Sequence, residues 1–162
     1  MSRGNQVVSA SAEKPAGSNV LVGRYDHGLD PKSRLMIPSE WRTALGNPQY
    51  VYVFPDPAEQ CLDLIPKEEM ESRLERLRER ALFDPALTAD LEALSADAKQ
   101  LMVDSVGRIR ISDKLLDFAE LTDDVAMIGA VRMARLWNPK RVGPANKVDV
   151  DRFRAAAARL GF

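Results

Sequence analysis

Apolar and polar residues alternate in two short stretches of the chain, and the two patterns coincide. In "RLMIP" the apolar positions Leu35 and Ile37 alternate with Met36 between them; in "RIRIS" Ile109 and Ile111 flank Arg110. A period of two marks a strand with one face turned to a core. The surrounding blocks agree as well. Asp30 and Arg34 recur as Asp104 and Arg108, a shift of 74 positions (104 minus 30). At that shift Trp41 falls on Leu115, and "YVYVF" (Tyr50 to Phe54) falls on "DVAMI" (Asp124 to Ile128). After a one-residue deletion "CLDLIP" (Cys61 to Pro66) falls on "ARLWNP" (Ala134 to Pro139). Agreement in pattern over roughly forty residues, at low identity, indicates an internal duplication.

Each half is predicted to run strand, turn, strand, short helix, strand, turn, strand. "NVLVGRYDHGL" is the first strand, with Gly23 and Gly28 as bend points. "SEWRTALG" is one or two helical turns, with Ser39 as N-cap and Gly46 just beyond the end. "YVYVF" and "CLDLI" form a hairpin across "PDPAEQ", whose prolines and Asp56 favour a turn. Between the halves Met70, Leu74, Leu77 and Ala81 recur at helical spacing, with Glu69 and Arg73 as an i,i+4 pair. Asp84–Pro85 breaks that helix. Leu87, Leu91, Leu94, Ala98 and Leu101 then make a second apolar stripe. "NPKRVGPANK" is a loop, and "DVDRFRAAAARL" is a short amphipathic helix opened by Asp149 or Asp151. The predicted organisation is a polar, disordered arm over residues 1–19, a first half over 20–66, a helical insert over 67–100, a second half over 101–141, and a loop with a C-terminal helix over 142–162. About fifty residues per half bury too little surface to fold alone, so the halves are expected to pack on each other and the chain to self-associate.

Charge narrows the function. The 162 residues carry 23 Lys and Arg against 24 Asp and Glu, a net charge of −1. Such a chain does not coat nucleic acid through bulk positive charge, so any such binding must come from local clusters. No apolar run reaches the roughly 20 residues of a membrane helix, and no secretory signal is visible. One cysteine, Cys61, excludes an internal disulfide and fits a reducing cytoplasm.

The candidate chemistry lies in the paired Asp-x-x-x-Arg stretches. A single copy is more simply a salt bridge bracing a turn, worth about 0–1 kcal/mol when exposed. Two copies at equivalent places suggest more. Asp30 and Asp104 would hold the turn backbone, and Arg34 would project from the strand start toward a phosphate or a guanine edge, with Lys32 and Arg108 beside it. His27 is the only histidine, and Cys61 has no companion at metal-ligand spacing; neither supports catalysis or a metal site. His27 is expected to pack its ring on the β core. Trp41 and Trp137 are expected in the core rather than stacked on bases. The stretch from Arg132 to Arg154 is basic on balance but mixed with Asp149 and Asp151. "RLERLRER" interleaves with glutamates and reads as a solvated face. No phosphate loop, nucleophile elbow or paired-carboxylate site stands out, so a small enzyme lacks a site.

These residues carry a resemblance. "GRYDHGLDPKSRLMIPSEWRTAL" with "CLDLIP", then "DSVGRIRIS" and "LWNP", resemble the MraZ family of bacterial transcriptional regulators, within the SpoVT-AbrB or swapped-hairpin DNA-binding class. The resemblance spans roughly residues 21–140. It implies an α+β fold with a mainly β core: a duplicated, swapped-hairpin, AbrB-like β-barrel with a helical insert and a C-terminal helix. It implies ring-shaped homo-oligomers that bind double-stranded DNA at direct repeats, in the promoter of the division and cell-wall gene cluster. It also implies a cytoplasmic, nucleoid-associated location and no cofactor, metal, membrane or small-molecule substrate. The family's first motif reads Asp-x-Lys-Gly-Arg, so Asp30, Lys32 and Arg34 match, with Lys32, Ser33, Arg34 and Arg108 in the DNA-contacting set. Ser33 stands where glycine is usual, and a turn that needs positive φ there is weakened by it. The second motif, Asp104 to Arg108, keeps Gly107. Ser112 replaces a proline common in the family, and Arg135 stands where an acid is common. The alternative is an AbrB-like module that binds a protein partner, as antitoxins of the wider class do. That reading calls for a disordered C-terminal tail, where this chain has a predicted helix.

Overall fold

The structure is a computed structural model that describes residues 19–162. The arm assigned to residues 1–19 therefore lies, apart from Asn19, outside the described residues. The elements are β1 (Arg24–Gly28), β2 (Arg34–Met36), α1 (Ser39–Ala44), β3 (Tyr50–Pro55), β4 (Leu62–Ile65), α2 (Lys67–Ala81) and α3 (Ala86–Ala96), followed by β5 (Lys99–Met102), β6 (Arg108–Arg110), α4 (Asp113–Ala119), β7 (Asp124–Gly129) and β8 (Ala134–Trp137). A 3-10 turn (Pro139–Arg141) and α5 (Val150–Leu160) end the chain. The architecture is α+β. None of the described helices is long and apolar enough to cross a membrane.

Strand order shows how the repeat is used. Six strands form one antiparallel sheet in the order β1-β7-β8-β4-β3-β5, and β2 and β6 form a separate two-stranded ribbon. β1 pairs with β7, the repeat equivalent of β3, while β5, the equivalent of β1, pairs with β3. Each repeat thus lends its first strand to the other. In the ribbon Leu35 lies opposite Ile109, its own equivalent, so an approximate two-fold axis passes through that pair. Hydrogen bonds obey the axis. Ile37 N–H donates to Gly107 O at 2.9 Å and Ile111 N–H to Ser33 O at 3.0 Å; Leu29 N–H donates to Asp123 O at 2.7 Å and Val103 N–H to Gln49 O at 2.8 Å.

The alternating residues form one core. Leu35, Ile37, Ile109 and Ile111 from the ribbon meet Val51, Val53, Leu62, Leu64, Val125, Met127 and Leu136 from the sheet. α1 and α4 close the core with Trp41 and Leu115. Trp41 is almost wholly buried and its indole N–H donates to Val22 O at 2.8 Å, which satisfies the polar edge that burial would otherwise strand.

Several expectations change. The anticipated barrel does not close among the described residues: the sheet ends at β1 and β5, and the ribbon packs beside those edges. Its strands are three residues long, and the adjoining turns spend their backbone groups on tight internal bonds instead of a ladder. Ser39 is not the N-cap of α1; Pro38 holds that place and no side chain caps the helix. The apolar stripe from Leu87 to Leu101 is not one helix. α3 stops at Ala96, and Leu101 pairs with Val51 in β5. The first strand is broken as well: Gly23 takes φ +93°, leaving Leu21 in a lone bridge to Val131. Trp137 is half-buried, because Leu136 beside it occupies the inner face of β8.

Candidate nucleic-acid interface

The two Asp-x-x-x-Arg stretches fold into the same turn. Asp30 N–H donates to Arg34 O and Ser33 N–H to Asp30 O; Asp104 N–H donates to Arg108 O and Gly107 N–H to Asp104 O, all within 2.9–3.0 Å. One carboxylate oxygen then collects the loop amides. Asp30 Oδ1 accepts from Lys32 N–H at 2.9 Å and Arg34 N–H at 2.8 Å. Asp104 Oδ1 accepts from Val106 N–H at 3.0 Å and Arg108 N–H at 2.9 Å. This is the local reason for an aspartate: a short side chain can reach amides two and four residues on and hold the turn closed.

The second oxygen orients the arginine. Arg34 Nε donates to Asp30 Oδ2 at 2.6 Å and Arg108 Nε to Asp104 Oδ2 at 2.8 Å. Arg34 is therefore not extended freely from the strand. It lies against its turn, with the side chain about one-third exposed, and so does Arg108. Among the described residues the Nη groups of both arginines make no hydrogen bond, so they keep their donor capacity. The turns are neighbours: Arg108 Nη1 lies 4.0 Å from Asp30 Oδ2. Desolvation is the largest single influence on Asp30 and raises its pKa, but the Arg34 and Lys32 hydrogen bonds and the Arg34 charge together outweigh it and hold the carboxyl below its ordinary range. At Asp104 the Arg108 backbone bond leads, again downward.

The fourth turn position needs a left-handed backbone. Gly107 has φ +98° and Ser33 has φ +61°. Gly107 also has a steric reason to lack a side chain, since a Cβ there would lie 2.5 Å from the Arg42 guanidinium carbon. Arg42 is itself fixed by its Nε bond to Ile37 O at 3.0 Å. Lys32 is exposed at the tip of the first turn. Sequence reasoning passed over Arg110, which is exposed on β6 opposite Arg34 and donates from Nε to Lys32 O at 3.0 Å. Its signal was only its place on the outer face of "RIRIS".

The remaining candidates fall elsewhere. His27 lies in β1, with Nδ1 3.0 Å from Met36 O and its ring edge-on to Tyr25. Cys61 is buried, and the fold brings it within 4.8 Å of Asp56 and Asp63, a grouping that spacing along the chain did not suggest. Asp56 Oδ1 accepts from the Ala58 and Glu59 amides, both at 2.8 Å, and so makes the β3–β4 turn. Arg135 Nη2 lies 3.0 Å from Asp56 Oδ2, and its Nε lies 3.6 Å from Asp63 Oδ1. Burial foremost, then the hydrogen bond and charge of Asp56, push Asp63 up to about 7. Burial and the two carboxylates push the Cys61 thiol up to about 12. The grouping is thus two buried carboxylates beside one guanidinium, with burial favouring the neutral forms of Asp63 and of the thiol. Ser112 precedes α4 with its hydroxyl buried and unpartnered among the described residues.

No family model matches the chain. The transcriptional regulator MraZ of Heliobacterium modesticaldum is 31% identical over 145 residues, which is 87% of this chain and 96% of that protein. The transcriptional regulator MraZ of Hyphomonas neptunium is 31% identical over 123 residues, 75% of this chain and 74% of that protein. That of Clostridium tetani is 26% identical over 132 residues, covering 82% and 91%.

Proposed function

The chain belongs to the MraZ family of transcriptional regulators, and from that premise we propose that it binds duplex DNA through the two braced turns. Asp30, Asp104 and Gly107 set the turn geometry, while Lys32, Ser33, Arg34 and Arg108 face the DNA. The observation that carries this reading is the repetition of one arginine-presenting turn on both sides of the ribbon axis, bond for bond. A guanidinium whose Nε is already held loses less freedom when its Nη groups meet a phosphate or a guanine. We read residues 20–66 and 101–141 as two SpoVT-AbrB-like halves, 67–100 as a helical insert, and 142–162 as a loop and C-terminal helix.

One copy neutralises only a few phosphates, in keeping with the net charge of −1. Our reading is therefore a ring-shaped homo-oligomer, cytoplasmic and nucleoid-associated, that aligns several weak sites on direct repeats in the promoter of the division and cell-wall gene cluster. Avidity then supplies the affinity, provided the repeat spacing matches the subunit spacing. Arg34→Ala tests this in a gel-shift titration against the repeats upstream of the protein's own gene. Binding should weaken at least roughly tenfold, as expected for losing about 1.4 kcal/mol or more, with oligomer size unchanged by light scattering. Unaltered affinity would reject the assignment of Arg34. Partner binding remains as a second reading on one observation: Val150, Phe153, Leu160 and Phe162 are exposed at the C-terminus. A protein captured by this segment, with no DNA retained, would favour it.

A further inference from the structure

The axis relating the two turns is broken in charge, with three cations added on one side and one, Arg42, on the other. At the repeat shift Lys32 corresponds to Val106, Arg110 to Met36, and Lys99 to Tyr25. Pairing supports the matches: Lys99 lies opposite Val53 as Tyr25 lies opposite Met127, and Arg110 lies opposite Arg34 as Met36 lies opposite Arg108. The three cations come from distant parts of the chain, yet the swap of β5 and β6 gathers them. Arg110 Nε donates to Lys32 O, and Lys32, Lys99 and Arg110 line one shallow recess with Ser33, Ser112 and Asp113. All three cations are exposed. Among the described residues none of them is within salt-bridge distance of a carboxylate. Across the axis the equivalent positions hold Val106, Met36 and Tyr25, and the one cation there is Arg42, beside Gly107 and bonded to Ile37 O.

We propose that this recess grips the phosphodiester backbone of duplex DNA on one side of the braced turns, with Lys99 and Arg110 as phosphate-contacting residues, so that each copy binds DNA in one orientation. The proposal rests on the DNA-binding reading above. Three positive side chains around one Asp113 leave a net positive recess beside Arg34, and Nη1 and Nη2 of Arg110 are its free donors. Phosphate contacts position a protein without reading sequence, so this side sets direction while the turns set specificity. A symmetric chain could lie either way round on its site; this one offers three cations on one flank and only Arg42 on the other, so the two orientations differ in phosphate contact.

Wild type and the K99Q/R110Q double variant are titrated by fluorescence anisotropy between 50 and 200 mM salt. The probes are a duplex carrying the promoter repeats and a scrambled duplex of equal length. The variant should lose about two units of the slope of log K against log salt and bind both duplexes roughly tenfold more weakly. A K147Q/R159Q variant, which removes the same charge away from the recess, should keep the wild-type slope. An unchanged slope in K99Q/R110Q, or an equal loss in both variants, overturns the proposal. Hydroxyl-radical footprints should show one-sided protection at each repeat, lost in K99Q/R110Q; protection symmetric about each repeat in wild type also overturns it. If wild type binds neither duplex, the DNA-binding reading fails first, and that outcome is distinct from the others.

Discussion

Ser33 and Gly107 occupy the same turn position and differ in how well they suit it. An L-residue at φ +61° gives up roughly 1 kcal/mol relative to glycine in the left-handed region, part of which is recovered because serine has fewer unfolded conformations. Ser33→Gly should therefore stabilise the protein by about 0.5 kcal/mol, a rise of about 1–2 °C in Tm for a chain of this size. Gly107→Ser should destabilise it by more than that, because its side chain must also displace Arg42. A lower Tm for Ser33→Gly would show that the serine side chain contributes something the turn geometry does not. The positive φ was legible in sequence, since glycine is usual in that motif. The buried acid pair was not: Asp56, Cys61 and Asp63 are close only because β3 and β4 fold back, and Arg135 arrives from the other repeat. Its effect has a definite sign. Asp63 in the folded state holds its proton to about pH 7, whereas the unfolded carboxyl loses it near its ordinary value of 3.8. The folded state thus binds more protons between those values, and stability falls as pH rises from about 4 to about 7. Asp56, lowered, acts oppositely and only at the acid end, where its contribution is lost as pH falls below the carboxylate range. Urea melts of Asp63→Asn should lack the decline between pH 5 and pH 7; an unchanged decline would place its origin elsewhere.

Elements whose period is local were readable, and elements ended by distant partners were not. β2, β6, the β3–β4 hairpin and α2 follow from alternation, turn residues and helical spacing in their own segments. The Glu69–Arg73 pair closes at 2.8 Å as the spacing predicts, and of the two candidate openers of α5 it is Asp149 that caps, accepting from Arg152 N–H. The end of α3 escaped, because Leu101 continues a helical stripe by period but finds better burial opposite Val51. Packing also separates the elements in stability. α3 and α5 bury no residue completely, whereas every residue of β4 is buried. Helices held so lightly open locally without unfolding the core. Hydrogen exchange at low salt should find α3 and α5 amides unprotected within seconds to minutes, and β3, β4, β7 and β8 amides protected far longer. Equal protection throughout would mean that another copy covers these helices, and that their exposure does not survive assembly.

At the scale of the whole molecule the duplication was legible in the 74-residue shift, but the exchange of strands was not. By pattern alone β1 could have paired with β3 of its own repeat as well as with β7, and only the folded chain discriminates. The exchange makes each repeat depend on the other. Cutting at the exposed Asp84–Pro85 junction separates residues 1–84 from 85–162 and leaves each fragment without the strand that completes it. Two copies of one fragment could in principle supply the missing strand to each other, since the repeats are related by an axis. The charges oppose this for the first fragment. Asp56 and Asp63 both belong to it and are both buried, while their cation Arg135 belongs to the second. A pair of first fragments would bury both carboxylates without the Arg135 guanidinium that bridges them, leaving only the charge of Arg73 on Asp63, which costs on the order of several kcal/mol before any protonation relieves it. The fragments should therefore be largely unfolded apart by circular dichroism and recover the β signal on mixing. Native mass spectrometry should then find one of each, with a melting temperature that rises with concentration. Arg135→Ala in the second fragment should weaken the mixture far more than it weakens the intact chain, where the join is covalent. Cooperative melting of residues 1–84 alone would contradict the claim that strand exchange and the Arg135 contact hold the two repeats together.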